Sequence, residues 1–314
     1  MSQSSKGFDT VRKAPLIAVL AAGLTGCGLV SGPFAQPPAP PGTVSPSPSG
    51  TAPTPAPSPS PSPSAENIRL TVPAAKKAAA SWVAQHNRMV KDRDWWDDPA
   101  KRDELFWDGT RHEVVLDQGH VEDGDKGKIR KPIRLTGRQT YYVPRRQPPG
   151  GEWFILQATY RGQDRPHVLA FWRPEGESFK LAAKSPLHYG QRIPAPQLDA
   201  EGYVAAAPRV DGTAIALEYM DFWNNSTDKR GGTRGYRLAK DNYSRLAHPR
   251  VSKGLYASFT SFTASYGFRT RDGGAFYVFS LLNPPQSIFQ VLTIGGFVPR
   301  GGKAIREIAG DWYA

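Results

Sequence analysis

The stretch WFILQATYRGQDRPHVLAFWRPEGESFKLAAK, residues 153–184, decides the fold class. Three runs in it, Trp153–Arg161, His167–Arg173 and Phe179–Lys184, are rich in aromatic and aliphatic residues and have strand length. Gly162-Gln163-Asp164 and Glu175-Gly176-Glu177 stand between them, and both triplets are turn chemistry. Runs joined by turns this tight pair with their sequence neighbours, so the stretch reads as an antiparallel meander. On its N-terminal side, Pro148-Pro149-Gly150-Gly151 separates it from another β-rich run, Ile133–Val143, and His112–Leu116 reads as one more.

Helices come before this sheet. From Pro73 onward, Ala75, Ala78/Ala79, Trp82/Val83, His86 and Met89/Val90 recur at helical spacing, with Pro73 suited to a first turn. Asp97-Asp98 ahead of Pro99 reads as the start of a second helix, Pro99–Phe106. The same order returns after Pro194-Ala195-Pro196. Helices are expected at Leu198–Ala206, Ala214–Trp223 and Leu238–Leu246, then β-rich runs at Tyr256–Arg269, Ala275–Leu282 and Ile288–Ile294. The chain therefore reads as α+β, with helices packed on curved antiparallel sheets. The recurring order divides it into residues 66–196 and 197–314, related as an internal duplication. This pattern resembles tandem cystatin/NTF2-like domains, a likeness that implies a cone able to enclose a pocket.

The N-terminus is of a different kind. Lys6, Arg12 and Lys13 precede an apolar run, Ala14 to Leu24, that is too short to span a hydrocarbon core. Leu24-Thr25-Gly26-Cys27 ends it and resembles the lipobox of bacterial lipoproteins. That resemblance implies that residues 1–26 are a signal peptide and that Cys27, the one cysteine of the chain, carries the lipid. Acylation would remove the only thiol from catalysis, metal binding and disulfides. Residues 27–65 are almost wholly Pro, Ser, Ala, Thr and Gly, and read as a disordered tether with polyproline II stretches. At about 3.1 Å per residue its proline-rich part reaches on the order of 100 Å. Lipobox, Pro/Ser linker and basic, Trp-rich body together resemble secreted lipoproteins of actinobacteria. The expected location is the extracytoplasmic face of the cell membrane.

The formal net charge of +12 favours anionic partners. Short basic clusters stand at Lys126–Lys131 and at Arg145-Arg146. The partners expected are the membrane, through lipid on Cys27, and an anionic cell-wall polymer or an envelope protein; the compartment argues against nucleic acid. Chemistry-bearing motifs are sparse. The six histidines show no zinc spacing, and no cofactor or metal is expected. Glu122-Asp123-Gly124-Asp125 lacks the spacing of a calcium loop and reads as a solvated turn. Ser226-Thr227-Asp228-Lys229 matches the SxxK nucleophile pattern, but its Lys-Thr-Gly partner is missing, which leaves an envelope hydrolase as a minor alternative. Asp97 and Asp98 lie beside Trp95, Trp96 and Trp107, a set that can form a glycan cleft because indoles stack on sugar faces and acids hold hydroxyls. The competing reading is a capped helix start with core tryptophans. The function expected is a non-enzymatic binding or structural role in the envelope, with binding of a wall glycan as the sharper version.

Overall fold

Thr71 caps the first helix. Its hydroxyl accepts the Ala74 N–H at 3.2 Å, and Pro73 sits in the first turn, where an N–H has no intrahelical partner to lose. Helix α1 (Val72–Met89) buries Ala75, Ala79, Trp82 and His86, the face their spacing predicts. A 3-10 turn (Trp95–Asp97) leads into helix α2 (Pro99–Leu105), which Asp98 caps by accepting from Ala100 N at 2.9 Å. The structure, a computed structural model, describes residues 69–225, 234–251, 259–283 and 291–313. All of these lie in one compact unit, Ser62–Ala314. Leu24, Thr25, Gly26 and Cys27, the tether, and Ser226–Lys229 lie outside the described residues.

Helix α3 (Asp108–Glu122) corrects the strand expected at His112–Leu116. Its buried face is Gly109, Thr110, Glu113, Val114 and Asp117. Two of these five are acids, so the apolar stripe that announces a helix is missing. Both acids are buried with partners, as their charge requires. Lys184 Nζ lies 3.1 Å from Glu113 Oε2, and Arg130 Nε donates to Asp117 Oδ2 at 2.7 Å. The Tyr313 hydroxyl also donates to Asp117.

Strands β1 (Leu135–Tyr142), β2 (Gly151–Tyr160), β3 (Pro166–Pro174) and β4 (Lys180–Pro186) form the expected antiparallel meander, in sequence order. The segment 198–206 is not a helix. Asp199 Oδ1 accepts the N–H groups of Glu201 (2.9 Å) and Tyr203 (3.0 Å), a local turn that outcompetes helical bonding, and Leu198 bridges Val204 across it. Helix α4 (Arg209–Asn225), strand β5 (Arg237–Leu238) and helix α5 (Tyr243–Val251) follow. Leu238 is therefore in a strand, and the helix expected from it begins at Tyr243. Strands β6 (Ser261–Phe262), β7 (Tyr266–Arg269), β8 (Ala275–Leu282), β9 (Val291–Val298) and β10 (Ala304–Tyr313) complete the second sheet. Its order is β5-β10-β9-β8, with β6 and β7 both paired along the outer edge of β8. Among the strand pairs of the described residues, only β5–β10 is parallel. Irregular register at Thr136/Thr140, Ala170/Phe171 and Glu307/Ala309 bends the strands, and the fold is α+β with helices on curved, mainly antiparallel sheets.

The layers run helix, sheet, sheet, helix. Phe154, Leu156, Leu169, Phe171 and Leu181 face Trp82, Trp95, Leu105 and Phe106 of the first helices. Their strand neighbours Trp153, Ile155, Val168 and Ala170 face the second sheet through Tyr266, Phe268, Phe276 and Val278. The outer face of that sheet, with Tyr277, Phe279, Leu281 and Ile294, packs on Ile215, Ala216, Tyr219 and Trp223 of α4. Both faces of both sheets are thus covered. A buried polar knot ties β10 to α4, α5 and the segment after β4: Glu307 Oε1 lies 3.1 Å from His188 Nε2, while Oε2 accepts from the Tyr219 hydroxyl (3.2 Å) and from Ser244 N (3.1 Å). Among the described residues no helix is long and apolar enough to cross a membrane.

Candidate functional site

The outer edge of the second sheet is broken. Between β6 and β7, Thr263 N still donates to Ser280 O at 2.9 Å, but the Ser280 N–H turns to the Thr263 hydroxyl at 2.9 Å and residues 264–265 leave the ladder. The start of α3 packs against the side chains of Ser280 in β8 and Val291 in β9 because Gly109 carries none; a Cβ there would fall 2.2 Å from Ser280 Oγ. The residues just before it are strapped to β4. Phe106 bridges Leu181, Trp107 N donates to Leu181 O at 2.8 Å, and the Thr110 hydroxyl also bonds that carbonyl. The strap holds Asp108 in the left-handed region, φ 44°, which costs of order 1–3 kcal/mol outside glycine. Strain of this kind persists where surrounding contacts over-determine the backbone, as they do here.

Asp108 Oδ2 accepts the Tyr266 hydroxyl at 3.0 Å. Burial raises the Asp108 carboxyl from 3.8 to about 6, and the bond from Tyr266 opposes the rise without cancelling it. The Tyr266 phenol is pushed well above its ordinary value, first by burial and then by the Asp108 charge. The pair shares one hydrogen bond, from the Tyr266 hydroxyl to Asp108.

Beside this pair, at the rim where the two sheets meet, lies a cavity of about 320 Å³. Trp153 of β2, Trp172 of β3, Tyr266 of β7 and Trp107 line it, together with Arg146 and Arg209. Trp153 and Tyr266 meet edge to face with ring centroids 6.0 Å apart, and Trp172 lies 6.4 Å from Tyr266. The Lys180 ammonium sits 5.1 Å over Trp107, which is 36% exposed. Gln147 grips the backbone of Trp153, accepting its N–H at 2.9 Å and donating to its carbonyl at 3.0 Å, and so fixes the loop that carries Arg146. Arg209 opens α4, where its charge opposes the helix dipole by a few tenths of a kcal/mol. A cation in that place strengthens the positive field of the cavity instead of the helix. Indole and phenol rings take apolar ring faces, and guanidinium groups take carboxylate or phosphate.

Of the residues singled out in the sequence, the structure brings Trp107 and Arg146, from the basic pair Arg145-Arg146, to this cavity. Trp95 and Trp96 are buried in the core, where Trp95 stacks on Phe106 at 5.9 Å, and neither lines this cavity. Asp98 is occupied as the α2 cap, and the exposed Asp97 accepts from Gln118 Nε2 at 3.1 Å. His86 is a core residue bonded to Asn87 Oδ1 at 3.2 Å, its pKa lowered to about 4 chiefly by burial. In the acidic turn, Asp125 accepts from Gly127 N at 2.9 Å. Among the described residues no group of three or more His, Cys, Asp or Glu is placed to hold a metal ion. Sequence reasoning passed over Asp108, Trp153, Trp172, Arg209 and Tyr266. The one local signal was Asp108-Gly109 directly after Trp107, a pair suited to a left-handed step followed by close packing.

The fold is a four-layered α+β domain with a cavity at its rim. Residues 70–291 match the family described as Domain of unknown function (DUF8094), and the chain belongs to that family. Every residue named above as lining the cavity falls inside the matched span, whereas β10 falls outside it. No curated protein and no solved structure matches the chain.

Proposed function

We propose that this protein is a lipid-anchored binding protein of the extracytoplasmic face of the membrane, held through Cys27, and that its rim cavity binds a sugar unit of the cell envelope without turning it over. The observation that carries the reading is the convergence of Trp107, Trp153, Trp172 and Tyr266 on one cavity beside Arg146 and Arg209. Trp107 and Trp172, the two partly exposed rings, offer stacking faces, and the buried Trp153 and Tyr266 back them. The lipobox-like Leu24-Thr25-Gly26-Cys27 and the proline-rich tether support the location, since a tether of that composition carries the domain away from the bilayer.

The test is titration of the full chain, in detergent, with solubilised cell-wall oligosaccharides, followed by intrinsic tryptophan fluorescence. Trp107→Ala removes a stacking face at a partly exposed position. It is expected to weaken binding about tenfold, corresponding to ~1.4 kcal/mol. Binding that survives unchanged in Trp107→Ala and Trp172→Ala, or release of cleaved product from the bound oligosaccharide, refutes the reading. Cys27→Ala should free the protein from the membrane fraction, and retention there would refute the anchor.

A further inference from the structure

One end of the second sheet is strongly basic. At this end β7 finishes and β8 starts, with Arg269 paired to Ala275, and β9 finishes and β10 starts, with Val298 paired to Ala275 and Phe297 to Arg306. β5 starts there too, with Arg237 beside Ala304. The segments 234–241, 268–275 and 297–306 that build this end carry eight Lys or Arg and two acids, Asp241 and Asp272. Among the described residues no ion pair engages any of the eight. Neighbouring strands lie about 4.8 Å apart, so the row of strand ends from β7 to β5 is about 19 Å wide.

Arg237, Arg271, Arg300, Lys303 and Arg306 are all exposed. Arg300 lies across the neighbouring β7–β8 turn, where Gly273 leaves it room; a Cβ there would fall 2.9 Å from Arg300 Cδ. The Lys303 ammonium stands 4.9 Å over the Tyr236 ring. Arg237 and Arg306 share one face of the sheet, because Arg237 is level with Ala304 and side chains alternate along a strand. Leu238 and Ile305, on the other face, pack in the core against α4. The nearby acids are turned inward. Asp272 accepts from the Thr270 hydroxyl and from Gly274 N (3.2 Å) within its own turn, and Asp211 of α4 accepts from the Tyr236 hydroxyl. Cations outnumber acids, and the field over this end is positive.

We infer that this end is a second binding surface, for a linear polymer of polyol phosphate that crosses the strand ends from Arg271, over Arg300 and Lys303, to Arg237 and Arg306. A row of cations is matched by a chain of anions, and guanidinium forks bond phosphate oxygens in pairs. A bilayer fits less well. None of the exposed large apolar side chains of the described residues lies in these segments, so the end offers nothing to insert between lipids. Nucleic acid fits less well for a different reason. The partly buried rings here, Tyr236 and Phe297, are taken up by Lys303 and by the core between the sheets, which leaves bases no stacking platform. The surface uses no residue of the rim cavity.

The experiment is calorimetric titration of the full chain, in neutral detergent micelles, with poly(glycerol phosphate) across a salt series. Engagement of the five exposed cations predicts that log K falls against log salt with a slope of about −3.5, the value for a single-stranded polyanion. Arg271→Gln, Arg300→Gln and Lys303→Gln in one chain should reduce the slope by about 2 and weaken binding about a hundredfold at about 0.1 M salt. The same charge removed at the end of α1, by Arg88→Gln, Lys91→Gln and Arg93→Gln, should leave slope and affinity nearly unchanged. All six positions are exposed, and circular dichroism checks the folding of both variants. Absence of polymer binding, or an equal loss in the two triple variants, overturns the inference. An oligonucleotide of the same charge that binds more tightly than the polyol phosphate also overturns it, because the end would then serve nucleic acid. Micelles doped with phosphatidylglycerol that displace the polymer overturn it in favour of a lipid surface. Sugar binding at the rim cavity should be the same in both triple variants, so the two readings fail separately.

Discussion

Asp108→Asn tests whether the carboxyl beside the cavity is held dry. In the native chain burial lifts this pKa from 3.8 to about 6, so folding favours the protonated acid. The sign follows from linkage. The contribution of the raised pKa is fully present below about pH 4, where folded and unfolded chains both bind the proton, and it is lost as pH rises through 6. About two units at 1.36 kcal/mol each amount to ~3 kcal/mol. Asparagine has the same shape and is neutral throughout. Its Oδ1 still accepts from the Tyr266 hydroxyl, and it tolerates the left-handed backbone at this position. The two proteins should be nearly equal in stability at pH 4. At pH 7.5 the variant should be more stable by ~3 kcal/mol, or about 6–12 °C in Tm for a domain of this size. Urea titrations at half-unit steps from pH 4 to 8 read this difference directly. Asp311, likewise raised to about 6 by burial, contributes equally to both proteins and cancels. A difference that stays flat from pH 4 to 8, or a variant less stable at pH 7.5, would show that water reaches the Asp108 carboxylate.

Three further outcomes follow from packing. Gly109→Ala places a methyl 2.2 Å from Ser280 Oγ and should destabilise by about 1–3 kcal/mol; Ser280→Gly in the same chain should restore most of that loss, measured by thermal unfolding. Glu307→Ala leaves the Tyr219 hydroxyl, Ser244 N and His188 without their buried acceptor, for a loss of roughly 3 kcal/mol in urea unfolding. Trp95→Ala should cost about 3–5 kcal/mol of stability with no change in ligand affinity for the molecules that remain folded, the reverse of Trp107→Ala.

The parts of the fold legible in the sequence are those with a local cause. The Thr71–Pro73 start and the Ala75–His86 stripe announce α1, and the glycine-bearing turns at 162 and 176 announce the meander of β2, β3 and β4. Other elements were hidden by the packing itself. α3 was misread because its inner face is built from Glu113 and Asp117, whose partners Lys184 and Arg130 are distant in sequence. The stacking of two sheets face to face left little trace either. β8 is buried along its whole length, so the alternation that distinguishes an inner face from a solvent face does not arise. At residues 198–206 a side chain decided the outcome, since Asp199 caps a turn where composition suggested a helix.

By itself, the amino-acid sequence determined the α+β class, the helices ahead of the first sheet and the meander of β2, β3 and β4. Each of these rests on interactions within a few positions along the chain. The cavity does not. Trp107, Arg146, Trp153, Trp172, Arg209 and Tyr266 come from separate segments and meet only when the layers assemble. Which tryptophans stay in the core and which line the cavity is set by that assembly, because burial is a property of the packed layers and every tryptophan looks alike along the chain.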